Sequence, residues 1–311
     1  MTAEAEKRIQ KSAMNPRIGI NPISWSNDDL QYIGGDISLQ TCLREAAAAG
    51  YDGVELGHKF PRDAAQLNPE LEPHGLKLVS GWYSGQLLQR SADEEINAMR
   101  AHAGLLRDMN CDVLIFAEVT ACIHSEATTR LSQRPRLRAD QWPEFGRRLT
   151  EVARAAASEG LKLCFHHHMG TVVQSSEDID ALMQETGDEV YLLLDTGHAL
   201  YAGADPVQLA RQYANRIGHV HCKDIRLPVL RQCRNRDSSF LAAVLDGVFT
   251  VPGDGCVDYP SVFPPLVDKD YGGWFVVEAE QDPSVAPPLA YAVAGHNFLS
   301  DALKRAYSVS D

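Results

Sequence analysis

No apolar run in this chain reaches the roughly 18 residues that a bilayer-spanning helix needs. A helical membrane protein is therefore excluded, and no membrane is expected among its partners. A basic surplus is missing too. Lys and Arg number 29 against 42 Asp and Glu, a net charge of −13, whereas nucleic-acid binding leaves a positive footprint. No nucleic acid is expected as a partner. Cysteine is present but unpatterned: seven residues, an odd number without Cys-x-x-Cys spacing, do not make a disulfide framework. Cys42, Cys111, Cys164 and Cys222 fall in apolar stretches, where buried free thiols are common. Residues 1–15 are polar and charged and lack the apolar segment of a secretory signal. They read as a flexible N-terminal arm, and the expected location is cytoplasmic. Finally, no Gly-x-Gly-x-x-Gly follows the first apolar segment, which removes the main dinucleotide-binding alternative.

What the chain has is alternation. Hydrophobic residues make up 44% and charged residues 23%, enough to build a large core. The 311 residues exceed the roughly 250 of a (β/α)8 barrel by an arm and one or two long loops. Strand-like segments lie at 18–25, 53–58, 76–82, 113–119, 161–168, 190–195, 217–223 and 274–280. Helix-like stretches separate them. One spans 39–49 and stops at Gly50; another spans 142–158, follows an Asp140 cap and stops before Gly160; Asp205-Pro206 opens a third. Strands alternating with helices in this way imply an α/β fold, a single closed (β/α)8 TIM barrel over 16–311, rather than an open sheet. Two polar stretches, 121–141 and 227–259, read as long loops at the C-terminal mouth that enclose a substrate.

Three of the strands turn abruptly ionisable where they end: at Asp195 with His198, at His219, His221 and Lys223, and at Glu278 with Glu280. A charge at a buried strand end is costly unless a metal, partner or substrate compensates it. The C-terminal mouth of a parallel barrel is where such groups gather for catalysis. Alternation with period two places His219, His221 and Lys223 on one face, with His221 near the rim as a metal ligand and His219 one layer deeper. Glu278 and Glu280 share a face as well. Paired carboxylates repel unless a cation or proton separates them, so Glu278, the deeper, is read as ligand and Glu280 as an acid/base group. In the run His166-His167-His168, His166 lies at the depth of a fourth ligand, His168 nearer a substrate, and His167 between strand and helix. Glu118, which ends the fourth strand, competes with His166 for the ligand place. Glu55, His58 and Arg226 are assigned to substrate. A cation beside Lys223 would lower its pKa and make it a base.

These segments carry a resemblance. His166-His167-His168-Met169-Gly170-Thr171, Leu194-Asp195-Thr196-Gly197-His198, His219-Val220-His221-Cys222-Lys223-Asp224 and Glu278-Ala279-Glu280-Gln281-Asp282 resemble the inosose dehydratases of the xylose-isomerase-like barrel superfamily. Asn21-Pro22-Ile23-Ser24-Trp25 and Phe249-Thr250-Val251-Pro252-Gly253-Asp254-Gly255 fit the same family. The resemblance covers residues 16 to 306. It implies a divalent metal, Mn²⁺ or Co²⁺, held by His166, Asp195, His221 and Glu278. The strand-five position, usually Glu in the related epimerases, is His166 here. It further implies dehydration of 2-keto-myo-inositol, a small cyclic polyol ketone, to a trihydroxycyclohexane-1,2-dione. A glutathione requirement is attributed to the family, and the sequence holds no motif for it. His198, His168, Lys223 and Glu280 stand unranked as the general base, and a homo-oligomer is left open. The alternative is a sugar or inosose epimerase or isomerase of the same superfamily, which would abstract the same proton without losing water.

Overall fold

In the computed structural model, which describes residues 16–308, the apolar segments become parallel strands that close on themselves. The arm expected at 1–15 lies outside the described residues. The strands are β1 (Arg17–Ile20), β2 (Gly53–Leu56), β3 (Lys77–Gly85), β4 (Val113–Glu118), β5 (Lys162–His166), β6 (Val190–Asp195) and β7 (Ile217–Cys222). After an antiparallel ribbon of β8 (Asp224–Ile225) and β9 (Phe249–Thr250), β10 (Trp274–Val277) completes the barrel. Around the ring the order is β1-β10-β7-β6-β5-β4-β3-β2. The helices are α1 (Leu39–Ala48), α2 (Ala64–Leu71), α3 (Ala92–Asp108), α4 (Trp142–Ser158), α5 (Ser176–Glu185), α6 (Thr196–Ala202), α7 (Pro206–Tyr213), α8 (Leu227–Arg236), α9 (Phe240–Leu245), α10 (Tyr259–Val267) and α11 (Pro288–Ser308). The fold is a (β/α)8 barrel, as the alternation implied.

Local chemistry sets the helix boundaries. Ser91 opens α3 with a capping box to Glu94, and Ser175 opens α5 with one to Asp178. Asp205 caps α7 ahead of Pro206. Gly50 and Gly160 take the left-handed conformation, φ 98° and 82°, that ends α1 and α4. Asp140 departs from expectation. It lies in a 3-10 turn and accepts from Arg138 at 3.1 Å, and no side chain caps α4.

The larger difference concerns the two long loops. Segment 227–259 is mostly ordered secondary structure: α8, α9 and β9 build a second apolar cluster in which Leu230, Phe240, Val244 and Phe249 pack with Met169 and Tyr201. Its helical spacing is hidden in the sequence by Pro228 and by three arginines, Arg231, Arg234 and Arg236. Segment 121–141 keeps only short 3-10 turns and is stitched to that cluster. Ser132 Oγ donates to Asp237 Oδ2 at 2.5 Å, Ser239 Oγ to the Ala127 carbonyl at 2.6 Å, and the Leu131 N–H to the Ser238 carbonyl at 3.4 Å.

Candidate metal centre

β5, β6, β7 and the segment just beyond β10 bring His166, Asp195, His221 and Glu278 together. One donor atom from each lies within 4.8 Å of all the others, and all four side chains are buried. Asp195 is the N-cap of α6: its Oδ1 accepts the His198 N–H at 2.7 Å, which leaves Oδ2 uncommitted. That Oδ2 stands 3.5 Å from both His166 Nε2 and His221 Nδ1. His221 Nδ1 lies 2.8 Å from Glu278 Oε2. Asp195 Oδ2, His221 Nδ1 and Glu278 Oε2 are all buried without a hydrogen-bond partner. Each such atom costs about 1–3 kcal/mol, so three that converge make a candidate site for a cation. Two imidazole nitrogens and two carboxylate oxygens suit a divalent first-row metal.

Hydrogen bonds behind the rings decide which nitrogen faces inward. His166 Nδ1–H donates to the His167 carbonyl at 2.7 Å, so Nε2 carries the free lone pair. His221 Nε2–H donates to Glu55 Oε1 at 3.1 Å, so Nδ1 does. Partners of this kind fix the tautomer and raise the basicity of a ligand. Glu55, expected to meet substrate, is among the residues that line the cavity described below. Its carboxylate also accepts from His219 Nε2 at 2.9 Å, Ser80 Oγ at 2.6 Å and Asn21 Nδ2 at 2.7 Å. Four donors make it an orienting group for His219 and His221. Burial raises the Glu55 pKa, but His221 and His219 outweigh burial and hold it well below the usual range. Burial likewise opposes charge on His221, yet with no cation beside it Glu55 and Glu278 hold that ring well above its ordinary value, and a bound cation would take the place of the proton on Nδ1.

Lys223 is the largest departure in electrostatics. It is 0% exposed. Its Nζ donates to Glu280 Oε2 at 2.9 Å and lies 3.3 Å from Glu278 Oε1, 3.9 Å from Asp195 Oδ2 and 3.0 Å from His198 Nε2. The Phe249 ring sits 4.5 Å away on another side. A Cβ on Gly197 would come within 2.5 Å of Lys223 Cγ, so the glycine of Asp-Thr-Gly-His admits the lysine stem. The lowered Lys223 pKa expected from the sequence is that of a lysine beside a bound cation. With no cation there, burial pulls the pKa down, but Glu278, Glu280 and Asp195 outweigh burial and hold it above the lysine range. Burial pushes Glu280 up to about 8 against the pull of Lys223. His168 and His198 are forced well below the histidine range, chiefly by burial, and are neutral.

Beside these groups lies a cavity of about 230 Å³. His221, Glu278, Glu280 and His168 line it, while Lys223 and His198 stand behind. His168 Nδ1–H donates to the Met169 carbonyl at 2.8 Å, which leaves Nε2 open. Trp82 sets its edge against His166 and His168, centroids 5.3 and 5.6 Å apart. Phe240 and Phe249 close over His198 at 5.6 and 5.3 Å. A wider depression of about 640 Å³ opens at the other end of the barrel, near Arg17 and Trp274, and holds none of the ligand clusters.

Three expected residues are placed elsewhere. Arg226 donates to the Gly247 and Phe249 carbonyls, Thr250 and Asp254, so it clamps the β8–β9 ribbon rather than a substrate. His58 is held by Asp28 at 2.5 Å and Ser26 at 3.2 Å, outside the cavity lining. Glu118 accepts the Leu87 and Thr120 N–H groups at 2.7 and 2.9 Å and joins no ligand cluster among the described residues. The lining also holds Asp28, Asp29, Trp82 and His124, which sequence reading passed over. Trp82 lies within β3, toward its mouth end, and the strand-end rule would have found it. The other three lie in loops that follow β1 and β4, where no periodicity marks them.

A family model described as xylose isomerase-like TIM barrel matches residues 43–302. The rhizopine catabolism protein MocC of Rhizobium meliloti is 48% identical over 300 residues, 96% of this chain and 92% of that one. An inosose dehydratase of Geobacillus thermodenitrificans is 40% identical over 287 residues, 92% of this chain and 96% of that one. Among solved structures, an L-ribulose 3-epimerase superposes with a TM-score of 0.67 at 19% identity, over 95% of this chain and 97% of that chain, which speaks to fold alone. With barrel, mouth and relatives in agreement, the chain belongs to the xylose isomerase-like TIM barrel family, in the company of the inosose dehydratases and MocC.

Proposed function

We propose that the chain is a metal-dependent hydro-lyase that removes water from 2-keto-myo-inositol (scyllo-inosose) to give a trihydroxycyclohexane-1,2-dione. The observation that carries this reading is the union of two clusters in one small cavity. The donor set His166, Asp195, His221 and Glu278 adjoins the proton carriers His168 and Glu280. The relatives named inosose dehydratase supply the substrate class. His166, Asp195, His221 and Glu278 would hold a divalent ion, Mn²⁺ or Co²⁺, and when bound it would supply Lewis-acid stabilisation to charge that develops on a ketone oxygen.

The chain's own residues then divide the proton work. His168, neutral and with Nε2 open, takes the proton from the carbon beside the ketone. Glu280, protonated below about 8, delivers a proton to the hydroxyl leaving the next carbon. One C–H and one C–O bond break, a C=C bond forms, and water departs. The enol that remains takes a solvent proton at carbon, releases its O–H proton and becomes the dione. Lys223 holds Glu280 in place, and the Phe240 ring packs against His168 and His198. Reduced glutathione is the addition to test beside the metal. In deuterated buffer with inosose and Mn²⁺, the product should be a dione with one deuterium at its new methylene. If stereoisomers of inosose form and no dione appears, the dehydratase reading gives way to epimerisation.

A further inference from the structure

The cavity has a second polar end. His124 and His168 ring centroids are 5.1 Å apart, and those of His168 and His166 are 5.4 Å apart. His124 thus stands two rings away from the ligand cluster. Facing it is Asp29, with Oδ1 at 3.7 Å from His124 Nε2. That separation is too long for a hydrogen bond. Both residues line the cavity, and the Asp29 carboxylate has no closer partner among the described residues. Its neighbour Asp28 is committed to His58 at 2.5 Å.

Both side chains are held in place by built backbone. Asn27 Oδ1 accepts the N–H groups of Asp29 at 2.9 Å and Leu30 at 2.7 Å, which fixes the turn that presents Asp29. The Ile123 N–H donates to the Gly170 carbonyl at 2.9 Å. A Cβ at Gly170 would meet the His124 backbone N at 2.9 Å, so this glycine lets the loop bearing His124 sit down on the β5 turn. His124 Nδ1 is buried without a partner. An orphaned N–H costs more than an orphaned lone pair, so the ring proton belongs on Nε2, toward Asp29.

The pair therefore offers one donor, His124 Nε2–H, and one acceptor, Asp29 Oδ1, too far apart to satisfy each other. A hydroxyl is the group that accepts and donates through one oxygen. A ketone or ether oxygen would satisfy His124 alone, and an ammonium Asp29 alone. Phosphate or carboxylate would be repelled by Asp28 and Asp29. We propose that Asp29 and His124 form a subsite that reads one hydroxyl of a neutral cyclic polyol, at the edge of the ring farthest from the four-ligand cluster. This inference rests on the polyol-ketone reading above and adds the residues that select the substrate. The cavity volume of about 230 Å³ falls below the roughly 300 Å³ at which drug-sized pockets begin, so a single small ring is the fitting occupant.

The test uses the full chain loaded with Mn²⁺ and three variants, Asp29→Ala, Asp29→Asn and His124→Phe, with metal content and melting temperature recorded for each. Calorimetric titration with myo-inositol, which has no ketone, reads binding without turnover. Inosose kinetics read KM and kcat. The alanine and phenylalanine variants should each weaken myo-inositol binding and raise inosose KM by about tenfold or more, with metal content unchanged. Asp29→Asn, which keeps an acceptor oxygen, should recover part of the loss. The double variant Asp29→Ala/His124→Phe should lose little beyond the worse single one, since both act on one oxygen. Wild-type affinity and KM in Asp29→Ala, or losses that multiply in the double variant, would overturn the subsite. If myo-inositol binding falls in the variants while wild-type yields no dione, the subsite stands and the reaction assignment alone fails. If wild-type binds neither ligand, both fail.

Discussion

Replacing Lys223 by methionine removes one charge and little volume, so it isolates the electrostatic role of this side chain. The ammonium lies 2.9, 3.3 and 3.9 Å from Glu280, Glu278 and Asp195. Taking one partner out of a buried ionic cluster costs about 3–5 kcal/mol, because the remaining charges have no water to replace it. Here three carboxylates would face one another, and Glu280, already pushed up to about 8, would keep its proton to still higher pH. For a domain of this size each kcal/mol moves the melting temperature by about 2–4 °C. The chelated Lys223→Met protein should therefore melt roughly 6 °C or more below chelated wild-type. Adding Mn²⁺ should narrow that gap, since a divalent cation would offset the charges of Asp195 and Glu278. The assay is paired differential scanning calorimetry at pH 7 with chelator and with Mn²⁺. A chelated variant that melts within about 2 °C of wild-type, or a gap that Mn²⁺ widens, would refute the argument that Lys223 balances the carboxylates.

Two other expectations follow. Glu278→Gln keeps shape but removes a charged donor whose Oε2 has no hydrogen-bond partner; metal content by plasma emission after gel filtration should fall from one ion per chain to near zero, and full retention would remove Glu278 from the ligand set. Glu118 gives a pH signature away from the metal. Burial raises its pKa from 4.5 to about 7, so between those values the folded chain holds a proton that the unfolded chain has lost. The stabilisation is complete below pH 4.5 and disappears as pH rises through about 7, a change of about 3 kcal/mol. Urea unfolding of Glu118→Gln at pH 5 and pH 8 should show that fall reduced relative to wild-type, and equal falls in both proteins would count against it.

Much of the barrel was written in local pattern. The strands are short apolar runs cut off by ionisable residues, and Gly50 and Gly160 mark helix ends by a conformation other residues resist. Where reading failed, a residue type concealed the pattern. Segment 227–259 carries prolines and arginines that look like loop, yet Leu230, Cys233, Phe240 and Val244 become the buried stripe of two helices. Asp140 looked like a cap, but a neighbouring Arg138 engaged it first.

The cluster of candidate ligands was legible for a similar reason. Asp195, His221 and Glu278 each stand at or just beyond the end of an apolar strand, where period-two alternation already says which way a side chain points. What no local pattern contains is a partner from across the ring. Glu55 is 164 residues from His219 and 166 from His221 along the chain, yet one carboxylate oxygen receives both. Its type and strand-end position were equally consistent with touching substrate, and only closure of the barrel makes it the group that turns His221 Nδ1 inward. Lys223 follows the same rule. Read along β7 it is a lysine after a histidine, free to become a base beside a cation. In the closed ring, Asp195 from β6 and Glu278 and Glu280 from beyond β10 surround it, and with no cation beside it these carboxyl groups outweigh its burial. The identity of a ligand is thus a property of its own strand, whereas its protonation state belongs to the neighbouring strands that the closed ring brings beside it.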